Sequence, residues 1–242
     1  MAQKVGGSLA EKAYLVIREQ ILRGQLPLGC GLSRRALAAE LGMSMAPVSE
    51  ALQRLASEGL VESRPRVGTL VRVPTEKQVR EHYIVREALE SQSARLFAAK
   101  ASLRERQEVQ RMAETMDALF EQCVGSQRSA ELVFAAQSHH FALHTRIAHC
   151  TGCEALWIAI EKSEVLAFNW LYDVAARRPP LPAGFHRDLV EVLSKGDVEA
   201  ADRAMRAHVQ YGFDSIVSGI RFASGFDNVE SRSLHAVEGR EG

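Results

Sequence analysis

The sequence predicts a mainly α protein in two parts: an N-terminal winged helix-turn-helix, three helices plus a β-hairpin wing, and a C-terminal all-α bundle of about six helices. Three observations predict it. Two short amphipathic runs flank Gly42 within residues 33–61, the pattern of two helices joined by a tight turn. Two β-like runs, 60–63 and 68–73, then flank Arg64-Pro65-Arg66-Val67-Gly68, which makes a hairpin with two arginines at its tip. From Glu76 to about Ile220 the apolar residues recur at helical spacing, with no strand alternation and no internal repeat.

Taken in order, residues 1–8 read as an irregular lead. Leu9 to Leu22 places Leu9, Ala13, Val16, Ile17 and Ile21 on a helix that ends at Gly24, and Pro27 and Gly29 belong to a loop. Ser33 opens a short helix through Leu37 and Leu41, which Gly42 breaks. Ser44 caps the next helix, Pro47 fits its first turn where a missing N–H costs nothing, and Val48, Leu52 and Leu55 form its apolar face before Gly59 stops it. The second helix of such a pair lies in the DNA major groove. Ser44, Met45, Ala46, Pro47 and Ser49 are therefore candidate DNA contacts, as are Arg34 and Arg35 at the start of the first helix. Arg64, Arg66 and Gly68 of the wing are placed for phosphates or the minor groove. The bland alternative for these arginines is a solvated basic face.

Pro74-Thr75 is a connector, and Thr75 caps a helix over 76–100 that contains neither Pro nor Gly. Further helices are expected at 103–124, 130–149, 154–172, 184–193 and 198–218, separated by Gly- or Pro-containing joints. This divides the chain into a DNA-binding domain at 1–75, an all-α domain at 76–222, and a disordered tail at 223–242.

Composition is ordinary for a globular protein, with 46% hydrophobic and 25% charged residues, and 242 residues suffice for two cores. The net charge of zero hides an asymmetry. Residues 1–75 hold ten Lys and Arg against six Glu, a balance of +4, so the remainder carries −4. A basic N-terminal part beside an acidic remainder suits a DNA reader joined to a sensor. No apolar run reads as an export signal or a membrane span, so a cytoplasmic location is expected and the four cysteines read as reduced thiols.

The C-terminal part has its own signal in four histidines. His140 and His144 project from one helix face a turn apart. His186 and His208 stand at similar heights on the two arms of a helical hairpin turning at 195–197. Two such pairs can converge on a divalent metal, with imidazole suiting zinc, nickel or cobalt over calcium or magnesium. The alternative is four unrelated histidines, exposed or satisfied in a core. His139 points away from that face, His149 sits near a helix end, and His235 lies in the tail. Cys150-Thr151-Gly152-Cys153 is a lone C-x-x-C at a helix joint, read as structural. Arg86 and Glu90 are an i, i+4 pair, which on a solvated face contributes a few tenths of a kcal/mol.

Ile21-Leu22-Arg23-Gly24-Gln25-Leu26-Pro27-Leu28-Gly29, Leu32-Ser33-Arg34-Arg35, Pro47-Val48, Glu50-Ala51-Leu52, Glu58-Gly59-Leu60-Val61 and Gly68 resemble the GntR family of bacterial transcriptional regulators. Phe141-Ala142-Leu143-His144, Thr151-Gly152, His186-Arg187-Asp188-Leu189-Val190, Gly196-Asp197, Ala200-Ala201, Met205 and His208 are similar to the FCD domain of its FadR subfamily. The resemblance implies a metal held by His144, His186 and His208, with a small organic acid bound beside it. His140 stands where that subfamily usually has Asp, which makes it a nitrogen ligand and favours zinc or nickel. It also implies that Arg86 faces the effector cavity and that the helical domain forms a homodimer. Asn169, with Trp170 and Tyr172, could line the same cavity.

Met45, Ala46 and Ser49 stand where Arg, Thr and Arg are usual, so the operator is expected to depart from the family's sequence, with thymine methyls as contacts. The function expected is a DNA-binding transcriptional regulator, repressing or activating, acting on a near-palindromic operator under control of a small carboxylate at a metal site. The alternatives are a metal-dependent hydrolase and a metal-free dimerisation module attached to a DNA reader.

Overall fold

The computed structural model describes residues 8–123, 129–163 and 181–237. Its N-terminal part begins with α1 (Leu9–Leu22), where the Ser8 hydroxyl accepts from the Glu11 N–H at 3.1 Å, and where Ala13, Tyr14, Ile17 and Ile21 turn inward at helical spacing. Ser33 caps α2 (Arg34–Glu40) in the same way, and α3 (Met45–Ser57) buries Val48, Ala51, Leu52 and Leu55. Between them Gly42 takes φ +63, the left-handed conformation that a side chain makes costly, so the expected break is the turn itself. β2 (Val61–Arg64) and β3 (Gly68–Val71) form the antiparallel wing, with Val61 opposite Val71 and Arg64 opposite Gly68.

Residues expected as loop before α2 contribute a third strand. β1 (Gly31–Leu32) pairs with β3, giving the order β1-β3-β2. Two residues are too few for alternation to show in a sequence. The pairing satisfies the second edge of β3, with the Gly29 N–H donating to the Val71 carbonyl and the Val71 N–H to the Cys30 carbonyl, each at 2.9 Å. α1 is tied across to α3: the Tyr14 hydroxyl donates to the Glu58 carboxylate at 2.9 Å, and the Arg54 guanidinium lies 3.6 Å from the Tyr14 ring centroid while pairing with Glu11 at 2.5 Å.

The rest is helical among the described residues. α4 (Glu76–Lys100) and α5 (Leu103–Gln122) each start on a capping box, Thr75 with Gln78 and Ser102 with Glu105. α6 (Ala130–His149), α7 (residues 154–163), α8 (Phe185–Ser194) and α9 (Val198–Val237) follow. Phe97, Leu143, Ile147, Leu193, Met205 and Ile216 are among the core they share. Arg106 binds three carbonyls, those of Ala101, Ala98 and Ser194, and so locks the end of α8 onto the α4–α5 joint. α8 and α9 form the expected hairpin, with the Asp197 carboxylate accepting from the Glu199 and Ala200 N–H groups at 3.0 and 2.9 Å.

Two boundaries differ from expectation. α8 starts at Phe185 because Gly184, at φ +68, is its left-handed N-cap rather than its first residue. α9 runs to Val237, through the segment expected to be irregular. No proline follows Pro182, and an isolated Gly219 or Gly225 costs a helix only about 1 kcal/mol, too little to end one already nucleated. The two parts touch where the Arg23 guanidinium, at the end of α1, lies 4.1 Å from the Phe134 ring centroid on α6.

Candidate functional site

The first candidate surface is the face formed by α2, α3 and the wing. A concavity of about 960 Å³ is lined by Arg34, Arg35, Met45, Ala46, Ser49 and Gly68, so three elements bring six of the sequence-predicted residues to one surface. Ser44, at the entrance to α3, is exposed and its hydroxyl makes no cap hydrogen bond; Pro47 is partly exposed beside it. Arg64 and Arg66 are exposed on the wing, outside that lining. Arg66 holds the tip in a left-handed conformation at φ +66, and Arg64 pairs with Glu62 at 2.6 Å, a contact that a phosphate would have to displace. Arg34, Arg35 and Arg66 have no carboxylate partner among the described residues, which leaves their charge for an external anion.

The second candidate lies inside the helical part. α6 supplies His140 and His144, α8 supplies His186 and α9 supplies His208. His140, His144 and His208 each bring one ligand nitrogen within 4.8 Å of the other two. His186 stands beside that trio, its ring centroid 5.2 Å from that of His208 and 5.5 Å from that of His140. The reading of four unrelated histidines is therefore overturned.

Two carboxylates orient the rings. Glu90 Oε2 stands 2.5 Å from His144 Nδ1, and Asp117 Oδ1 stands 2.7 Å from His186 Nδ1. A carboxylate that close requires the proton on Nδ1, which leaves each Nε2 lone pair for the cavity, as in carboxylate–histidine–metal arrangements. Asp117 also accepts from the backbone N–H groups of His186 and Arg187, at 3.1 and 3.0 Å. Burial alone would raise its carboxyl, but the His186 and backbone hydrogen bonds outweigh burial and hold it below the usual range.

The donor set fits a metal on two counts. His144 Nε2 and His208 Nε2 are 3.3 Å apart, and two nitrogens bound tetrahedrally at about 2.0–2.1 Å from zinc would be separated by about 3.3–3.4 Å. Burial, and then the neighbouring imidazoles, push His140 and His208 well below the ordinary histidine value, so both rings are neutral at pH 7, the form a metal would need.

Around the rings is a cavity of about 30 Å³, whose lining includes Arg86, Gln137, Phe185 and Tyr211. Arg86 and Glu90 are not a solvated pair: they are 3% and 2% exposed, joined at 2.8 Å, and Glu90 passes on to His144. Arg86 thus lines the cavity as expected from the resemblance, whereas Asn169, with Trp170 and Tyr172, lies outside the described residues. His139 is exposed with Nδ1 2.9 Å from the Ala135 carbonyl oxygen, and His149 stacks on Trp157. Cys150 is buried and its thiol is pushed up to about 11 by burial, as a structural residue would be.

Sequence reasoning missed Asp117, Gln137 and His82. Asp117 is a lone acid on the stripe of Val109, Ala113 and Met116, and that misfit was its one available signal. Gln137 is 2% exposed and sits one turn before His140. His82 stands one turn before Arg86, and burial followed by the Arg86 charge lowers it to about 4.

A winged helix joined to a helical domain with a histidine-lined cavity defines a DNA-reading regulator with an effector-binding domain. The chain belongs to the GntR family: residues 9–71 match "Bacterial regulatory proteins, gntR family", and residues 81–211 match the FCD domain, a kind that often binds metals. It is 37% identical over 195 residues to the "Probable D-xylose utilization operon transcriptional repressor" of Paenarthrobacter nicotinovorans, covering 78% of this chain and 80% of that one. It is 26% identical over 208 residues to the "HTH-type transcriptional repressor RspR" of Escherichia coli K12, covering 85% and 88%. Among solved structures, E. coli McbR/YncC shares the fold with a TM-score of 0.69 at 22% identity, over 88% of this chain and 99% of that one. The relatives are transcriptional regulators rather than enzymes, so this is a DNA-binding transcriptional regulator and not the hydrolase that a three-histidine site would also permit. No helix among the described residues is long and apolar enough to cross a membrane.

Proposed function

We propose that the chain is a repressor whose operator affinity is set by a small carboxylate bound at a divalent metal, zinc or nickel, held by His140, His144, His186 and His208. The observation that carries this reading is the convergence of imidazoles from three helices, two of them aimed by Glu90 and Asp117. Residues 1–75 read the operator, 76–222 bind the effector and dimerise, and two copies engage a near-palindromic site. The repressor assignment leans on the names of the relatives.

When bound, the ion would supply a Lewis-acidic partner for a carboxylate oxygen. Arg86 adds a fixed guanidinium on the cavity wall, positioned by Glu90 and by the Tyr83 ring 4.8 Å from its Cζ. The cavity, about 30 Å³, holds little more than one water, so an acid entering it displaces the lining carried by α4, α6 and α9. α6 also carries Phe134 against Arg23, and α4 leads directly from the wing, so both offer a route from the cavity to the reader. An effector works only by favouring one arrangement of the two parts over another.

A gel-shift titration tests this. Operator affinity should change at least fivefold on adding a small organic acid to metal-loaded protein, and the response should vanish after chelation. Affinity indifferent to acids, metal and chelator would remove the sensing role and leave DNA binding intact.

A further inference from the structure

Two of the large apolar side chains that this protein exposes sit on its DNA-reading face. Met45 is 56% exposed and Val67 is 64% exposed, and both line the concavity that Arg34 and Arg35 flank. Neither belongs to the core of the N-terminal part, where Val48, Leu52 and Leu55 of α3 pack instead. No carboxylate lines that concavity. Its occupant is therefore a polyanion that also offers apolar groups.

In helix-turn-helix docking, the first residues of the second helix meet the base edges in the major groove. Here those residues are Met45 and Ala46, and neither carries a side-chain donor or a strong acceptor. The one apolar group on the major-groove edge of a base pair is the thymine C5-methyl. We infer that Met45 and Ala46 read thymine methyl groups, so that specificity at those positions rests on the methyl and not on a hydrogen-bonded guanine. Arg34 and Arg35 hold the neighbouring phosphates and fix the register in which Met45 meets the base. This rests on the DNA-reading role of the winged helix and is independent of the metal site.

The test needs only the full chain and duplex DNA. Duplexes selected from a random pool by the protein give a half-site, and each thymine in it is then replaced singly by deoxyuridine, which removes the methyl alone. At one or two thymines per half-site the replacement should weaken binding about three- to fivefold, the worth of one buried methyl. Met45→Ala should bind the thymine and deoxyuridine duplexes within twofold of each other at one of those positions. Its melting temperature should be unchanged, because Met45 is outside the core. Deoxyuridine tolerated within twofold at every position would overturn the inference, as would a half-site read through guanines alone. Failure to select any duplex would instead remove the DNA-reading role itself.

Discussion

The two functional regions are built in opposite ways. On the winged helix the candidate DNA contacts, Arg34, Arg35, Met45 and Ala46, stand outside a small core that α1, α3 and the sheet complete without them. In the helical part the candidate site side chains are themselves interior: Arg86, Glu90, His144, His186 and His208 are buried among the helices whose packing positions them. A surface reader can change its residues while keeping its fold. An interior site is less free, because Arg86, Glu90 and His144 are paired in series and Asp117 holds His186, so removing one partner leaves a buried group unpaired.

The largest effect that would break this contrast is expected at Glu90. Glu90→Leu strands the Arg86 guanidinium and the proton of His144 Nδ1, and should cost about 3–5 kcal/mol in urea unfolding of the metal-free protein. The double variant Arg86→Met/Glu90→Leu should recover more than half of that loss. A single-variant cost under about 1 kcal/mol would mean that the interior pair is solvated after all.

A second effect follows from His82, whose folded value of about 4 lies below the ordinary 6.5. Above pH 6.5 the ring is neutral in both states and has no effect on stability. As pH falls below 6.5 the unfolded chain takes up the proton first, so stability is lost progressively until about pH 4, by on the order of 3 kcal/mol. His82→Leu should make the stability profile of the metal-free protein less steep across that window, leaving the share of His140 and His208, whose folded values are also lowered; an unchanged slope would assign it to other groups.

Asp117 sharpens the comparison at the level of the metal. Asp117→Asn removes the charge that orients His186, and should weaken metal binding about 10- to 100-fold in competition with a chelating indicator. Equal affinity would take His186 out of the ligand set. The smallest effects belong to the outer face. Arg34→Ala and Arg35→Ala should each leave stability within about 0.5 kcal/mol and lower the salt slope of operator binding by about 1. A marked fall in melting temperature would make these arginines structural.

Legibility from sequence followed the same division. The winged helix could be read because its signals are local: Ser33, Gly42, Ser44 and Gly59 punctuate one continuous stretch, and each cap or turn sits where the spacing puts it. β1 was not, because its two residues are strand only through pairing with β3, some 38 positions away. In the helical part the start of α4 was legible from Thr75, those of α5 and α6 from the helical spacing that begins at Leu103 and Ala130, and the paired histidines from helical geometry. Asp117 and Gln137 were not, since a single acid or amide on a helix carries no periodic signal until folding sets it against His186 or the cavity. From spacing alone the burial of Arg86 and Glu90 could not be read, because an i, i+4 ion pair looks the same on a wet face as inside a core; only the family resemblance turned Arg86 toward the cavity.

The account turns on a metal among the imidazoles, and metal stoichiometry tests that most directly. Elemental analysis of the full chain, purified without chelator and then exposed to zinc and dialysed, should find about one equivalent per chain, and His144→Ala treated identically should retain almost none. A wild-type chain that holds no metal, or a His144→Ala variant that holds as much, would contradict it.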